Sequence, residues 1–218
     1  MSKLKLIIGN KNYSSWSLRP WILLKYFNIP FDEVLIPLYA ADSKKKIVKY
    51  SPSGKVPALL HGKVTIWDSL AICEYLAELY PQKKLWPQLR GDRALARALC
   101  QEMHAGFAAL RSQMGMNIRR TYPRKKSTPE VVMDIARISA IWTDCRRRFK
   151  NKGPFLFGTF TIVDAVFLPV ATRFRTYGVS TGKLVTEYMT TLLKLPAFLE
   201  WEKAAIKEPW VIEAFEIY

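Results

Sequence analysis

The sequence predicts a mixed α/β domain followed by an all-helical one. Three observations carry this. Strand-like and helix-like runs alternate through the first eighty or so residues. The stretch PQKKLWPQLRGD, residues 81–92, then breaks the apolar periodicity with two prolines and a glycine. Beyond it, amphipathic helical patterns follow one another with no convincing strand. We therefore expect an α/β unit over 1–82, a linker over 83–91 and a helical unit over 92–218.

The elements follow in order. Leu4–Ile8 is strand-like. Ser17–Phe27 is helix-like, with Trp21, Leu24 and Phe27 on one face and Asn28 as a stop. Phe31–Pro37 reads as a strand, and Lys44–Tyr50 as a short basic helix or loop. SPSGKVP reads as a turn. Ala58–Leu60 and Val64–Trp67 flank His61-Gly62 as a hairpin. DSLAICEYLAELYP is a helix capped by Asp68 or Ser69. The order is β-α-β-(α)-β-β-α. In the second half, Asp92–Arg120 reads as one long helix. Pro129–Lys150, Thr161–Tyr177, Leu184–Leu195 and Pro196–Ile206 read as further helices.

Composition narrows the function. No apolar run approaches the ~20 residues that cross a membrane. The start, MSKLKLIIGN, is too short in its apolar part for a signal sequence. Cys73, Cys100 and Cys145 are scattered and never in CxxC spacing, which argues against a disulfide framework or a zinc site and fits reduced thiols in the cytoplasm. Only two histidines are present, which argues against a histidine-rich metal site. The formal net charge of +16 points toward anionic partners. It is spread, however: +5 over residues 1–82 and +11 over 83–218. The clusters at Lys44–Lys46, Arg119–Lys126 and Arg146–Lys152 lack interleaved aromatic platforms, so the charge reads as a surface property and not as a nucleic-acid footprint.

Three stretches carry more chemistry than their local structure needs. The first is NKNYSSWSLRPW, Asn10–Trp21, at the first strand-to-helix corner. A helix starting near Ser15–Ser17 puts Pro20 in or near its first turn, where a missing N–H costs least. Ser14 and Ser15 then stand at a positive helix end. There a hydroxyl either caps the helix or donates to a bound anion such as a thiolate. No histidine is near enough in sequence to suggest a Ser-His-Asp arrangement. The second is SPSGKVPALL, where Pro57 marks a strand edge or is a cis-proline turning the Val56 backbone toward an extended ligand, with Lys55 available to a carboxylate. The third is Asp68-Ser69, a helix cap that also suits a ligand carrying both an amino group and a carboxylate.

Taken together, this element order, the VP before the third strand, the DS at the third helix, the linker and the helical half resemble the cytosolic glutathione transferases. The resemblance covers essentially the whole chain. GTFTIVDAVFLP, Gly158–Pro169, is similar to that family's helix-start motif, with Thr161 and Asp164 as a capping box.

The resemblance implies a thioredoxin-like first domain that binds glutathione as cosubstrate and, with it, a small electrophile. Val56 would pair with the cysteinyl backbone and Pro57 would be cis. Asp68 and Ser69 would hold the γ-glutamyl end. Lys55 would meet the glycine carboxylate, with Lys44 a further candidate. Ser14 matches the activating serine of serine-type classes, with Tyr13 and Ser15 as rivals. SSWSLRP is similar to the zeta-class stretch SSCS followed by an arginine, but Trp16 stands where that class has cysteine. The electrophile pocket is expected between the corner and helix Asp92–Arg120, with His104, Phe107 and Arg111 as candidates. A homodimer in the cytoplasm with a detoxifying role is implied. Two alternatives accompany the transferase reading: a zeta-like cis-trans isomerase of an acidic diketo or dienone substrate, and a non-catalytic interaction protein that keeps the fold.

Overall fold

The computed structural model describes residues 3–123 and 126–216. A four-stranded sheet forms the first half, built from β1 (Leu4–Ile8), β2 (Phe31–Leu35), β3 (Ala58–His61) and β4 (Val64–Trp67) in the order β2-β1-β3-β4. β1 runs parallel to β2 and antiparallel to β3, with Leu6 opposite both Glu33 and Leu59. β3 and β4 form the hairpin around Gly62. Strand alternation splits the apolar residues between two faces. Leu4, Leu6 and Ile8 enter the main core, whereas Ile7 joins Ile36, Ile47 and Ala58 in a smaller one.

Helices α1 (Ser15–Tyr26) and α3 (Ser69–Leu79) cover the main-core face, and α2 (Ser43–Val48) contributes Ile47 to the other. The second half comprises α4 (Arg90–Ala105), α5 (Ala108–Gln113), α6 (Pro129–Phe149), α7 (Ile162–Thr176), α8 (Lys183–Leu193) and α9 (Pro196–Lys207). α7 is buried along nearly its whole length and packs against α1, α4 and α8. One core therefore runs from the sheet through α1 into the helical half. Among the described residues, no helix is long and apolar enough to cross a membrane.

α7 starts as its sequence demands. Asp164 accepts from Thr161 N at 2.8 Å, the return bond of the capping box, and also from Thr161 Oγ1 at 3.2 Å. It also accepts from Leu156 N at 3.1 Å and Tyr188 Oη at 2.9 Å, all in full burial. Burial raises its carboxyl to about 6 against these hydrogen bonds.

Two expectations are corrected. The long helix over Asp92–Arg120 is broken after Ala105: Gly106 is extended and Phe107 takes a left-handed φ of 58°. Side chains stabilise the break. Arg111 Nη1 donates to the freed carbonyls of Met103 and His104, both at 3.1 Å, and Asp134 accepts from Leu110 N at 2.9 Å at the next helix start. Residues 114–123 are not helical. Pro20, in turn, lies in the second turn of α1, since the helix begins at Ser15. Its missing N–H leaves the Trp16 carbonyl without its α-helical donor. Asn28 does mark the end of α1, with a left-handed φ of 51°.

The basic clusters are partly tied down. Arg119 donates to the Glu208 and Trp210 carbonyls, Arg120 pairs with Glu216, Arg146 with the Phe155 carbonyl and Arg148 with Asp92. Arg124 and Lys125 of the 119–126 cluster lie outside the described residues.

Candidate active site

The corner between β1 and α1 is fixed by contacts from both halves. Gly9 N donates to Ser17 Oγ at 3.1 Å, joining the strand end to the helix. Glu208 accepts from Lys11 N and Asn12 N at 2.6 and 3.1 Å, and Trp201 Nε1 donates to the Lys11 carbonyl at 2.9 Å. Asn12 Nδ2 donates to Asn117 Oδ1 at 2.9 Å. Burial raises the Glu208 carboxyl, opposed by the two N–H donors.

This clamp sorts the three candidate activators. Ser14 is the N-cap of α1; its Oγ donates to Ser17 Oγ at 2.7 Å. It borders a cavity of about 480 Å³ shared with Tyr39, Lys44, Lys55 and Val56. Tyr13 faces elsewhere. Its hydroxyl donates to Glu216 and accepts from Arg119 Nη2 at 2.8 Å and Ile212 N at 3.3 Å. Ser15 is buried under Arg173, whose Nη2 donates to its Oγ at 3.1 Å.

A second cavity, of about 530 Å³, adjoins the first through Trp16, Lys55 and Val56. Its walls also include Ser53, Pro57, Trp67, Asp68, Ser69 and His104. The Val56–Pro57 peptide bond is cis. Asp68 holds a left-handed φ of 75°, and its Oδ1 accepts from Leu70 N at 2.8 Å and Ala71 N at 3.3 Å. Ser69 is 1% exposed, and its Oγ has no hydrogen-bond partner although the residue lines the cavity. A buried hydroxyl left unpaired costs about 1–3 kcal/mol. With the N-terminus of α3 beside it, it suits a carboxylate from a ligand.

The structure thus brings Ser14, Lys44, Lys55, Val56, Pro57, Asp68, Ser69 and His104 to two adjoining cavities. It does not bring Phe107 or Arg111 there. Phe107 turns into the core, and Arg111 caps α4 beneath Trp16, its guanidinium carbon 5.6 Å from that ring centroid. All three cysteines are buried, and burial pushes the Cys73 and Cys100 thiols up and Cys145 to about 12.

Sequence reasoning missed the surroundings of Trp16. It lines both cavities, its ring meets His104 edge-on at 5.2 Å, and it carries the Arg19 guanidinium 4.1 Å from its centroid. Arg19 is 1% exposed, with Nε and Nη1 unpartnered. Burial, then Arg173, lowers it to about 9. Burial likewise lowers Arg173 to about 10. The signal available was only an arginine flanked by Trp16 and Trp21 on an apolar helix. The net effect is an unneutralised positive charge behind the corner.

Comparison with known proteins bears on this cleft. Residues 13–79 match the family model described as glutathione S-transferase, N-terminal domain, and residues 93–204 match glutathione S-transferase, C-terminal domain. Glutathione S-transferase hmp2 of Hypomyces subiculosus is 26% identical over 195 residues, covering 84% of this chain and 86% of that one. A probable maleylacetoacetate isomerase of Caenorhabditis elegans is 33% identical over 110 residues, about half the length of each chain. A glutathione transferase homolog from Burkholderia gl BGR1, solved with bound glutathione, superimposes with a TM-score of 0.70 at 21% identity, covering 95% of this chain and all of that one.

Proposed function

The chain belongs to the glutathione S-transferase family, with glutathione as cosubstrate, and from that premise we propose that Ser14 activates the glutathione thiol for attack on a small electrophile. One observation carries the proposal. Ser14, Val56 and the Asp68-Ser69 pair come from three separate stretches, yet all border two adjoining cavities that share Trp16, Lys55 and Val56. In this reading the glycine carboxylate meets Lys55 and Lys44, the cysteinyl backbone lies along Val56, and the γ-glutamyl group meets Asp68 and Ser69. The space left beside Trp16 is assigned to the electrophile.

The chemistry follows from thiol acidity. A free thiol titrates near ~8.5, and lowering it by ~2 units takes ~2.7 kcal/mol of preferential thiolate stabilisation. The N-terminus of α1 contributes ~0.3–1 kcal/mol, rising to ~2 when partly buried. A hydrogen bond from Ser14 to the thiolate adds ~1.5–3 kcal/mol. To make it, Ser14 exchanges a neutral bond to Ser17 for a charge-assisted one.

Retention on immobilised glutathione, with elution by free glutathione, tests the binding half of the proposal. Conjugation of an activated aryl halide tests the chemical half. A protein that binds without conjugating fits the interaction-protein alternative. The isomerase reading is favoured by the maleylacetoacetate isomerases of Caenorhabditis elegans and Dictyostelium discoideum, each 33% identical over about half of their length. Trp16 in place of the zeta-class cysteine weighs against it. Isomerisation of maleylacetoacetate with catalytic, unconsumed glutathione would select that reading over the transferase. A cytoplasmic homodimer serving detoxification completes the proposal; sedimentation of a species of twice the 25.2 kDa chain mass is expected.

A further inference from the structure

His104 reaches from α4 to the carboxylate assigned above to the γ-glutamyl ammonium. Its Nε2 lies 3.2 Å from Asp68 Oδ2, while Asp68 Oδ1 is taken by Leu70 N and Ala71 N. Oδ1 is therefore committed before any ligand arrives, while Oδ2 faces His104 across an ion-pair distance without a hydrogen bond. The imidazole is held in place by its edge against Trp16 and by Arg111 on its own carbonyl.

What His104 does depends on its charge. A neutral imidazole beside Oδ2 leaves Asp68 a net anion, and a carboxylate oxygen accepts more than one donor. An ammonium can then join His104 at Oδ2. A protonated imidazole instead neutralises Asp68. Protonation also places an N–H at Nδ1, which is buried and has no partner, so the new charge rests on Asp68. Imidazolium and ligand ammonium then compete for one anion.

We propose that His104 is a specificity residue of the amino-terminal subsite: neutral, it leaves Asp68 Oδ2 open to the γ-glutamyl ammonium; protonated, it takes that ammonium's place. This rests on the glutathione reading above. The other charged groups around it are Arg111 of α5, Lys55 in the same cavity and Arg19 of α1 behind Trp16. On its own helix, Glu102 is held by Arg137 at 2.6 and 2.8 Å. Guanidinium and ammonium side chains ordinarily keep their charge between pH 5 and 8, whereas imidazole changes its own there.

The test is calorimetric titration with S-methylglutathione, whose thioether removes the thiol's own titration. Wild type and His104→Gln are compared at about pH 5.5 and about pH 8. Both side chains are partly exposed, at 28% and 43%, so a modest effect is expected. Wild type should lose about two- to fivefold more affinity in acid than His104→Gln. The chain's other histidine, His61, is bonded to Tyr75 Oη at 2.7 Å, and His61→Gln should keep the wild-type slope. A ligand lacking the amino group should bind wild type more weakly at pH 8 and lose the excess acid sensitivity, a result that requires no variant to fold. Equal slopes in wild type and His104→Gln, or a full slope with the amine-free ligand, would overturn the inference alone. Absence of saturable wild-type binding at pH 8 would overturn the glutathione reading beneath it.

Discussion

Asp164→Ala is expected to lower folding stability by about 4 kcal/mol, by orphaning buried donors that cost roughly 1–3 kcal/mol each. The donors are Leu156 N, Thr161 N and the Tyr188 hydroxyl, all of which bond this one carboxylate. For a chain of this size, a loss of 4 kcal/mol corresponds to a fall of about 8–16 °C in Tm. The effect should reach the corner, because α7 packs on α1 and its Arg173 holds Ser15. The pH dependence has a definite sign. The native carboxyl sits at about 6, above its ordinary value, so the folded state binds the extra proton. That contribution is complete below about pH 4 and is lost as pH rises through about 6. Asp164→Asn, which does not titrate, should therefore fall furthest behind wild type in acid, and the gap should narrow by pH 7. Denaturant titrations across that range check both statements; a gap that widened toward neutral pH would contradict them.

Ser14→Ala is expected to lower kcat about 10- to 100-fold, the range set by losing a charge-assisted hydrogen bond of ~1.5–3 kcal/mol. Glutathione KM should stay within about twofold, because the contacts assigned to the peptide lie at Lys55, Val56, Asp68 and Ser69. Tyr13→Phe and Ser15→Ala act as controls. The Tyr13 hydroxyl is engaged by Glu216, Arg119 and Ile212, and Ser15 is engaged by Arg173. Their removal should appear in stability before turnover. A Tyr13→Phe enzyme as impaired in kcat as Ser14→Ala would show that the phenol leaves these partners to meet the thiol.

The parts of this architecture readable from sequence were those written in local signals. The capping box at Thr161 and Asp164 needs residues only three apart, and it forms. The hairpin around Gly62 and the stop at Asn28 follow from residues that tolerate left-handed backbone. The break after Ala105 was not readable, because Met103, Phe107, Leu110 and Met114 keep an apolar helical spacing through it. Gly106 stands at the break, and Arg111 and Asp134 satisfy the backbone groups it frees, which periodicity does not register. The choice between Tyr13 and Ser14 was equally hidden. Adjacent residues at a corner point in different directions, and their directions depend on Glu208, Trp201 and Asn117, which bond Lys11 and Asn12 from 105 or more residues away. Arg19 gave no warning of its burial, since an arginine on a short helix ordinarily lies at the surface.

The central claim is that Ser14 and the N-terminus of α1 stabilise a glutathione thiolate. The most direct measurement is the ultraviolet thiolate absorbance of bound glutathione, titrated against pH in wild type and Ser14→Ala. The account predicts a wild-type thiol pKa about 2 units below the free value of ~8.5, with most of the shift abolished in the mutant. Saturable binding with an unshifted wild-type pKa, or a shift that survives in Ser14→Ala, would contradict it and leave Ser14 as the cap of α1.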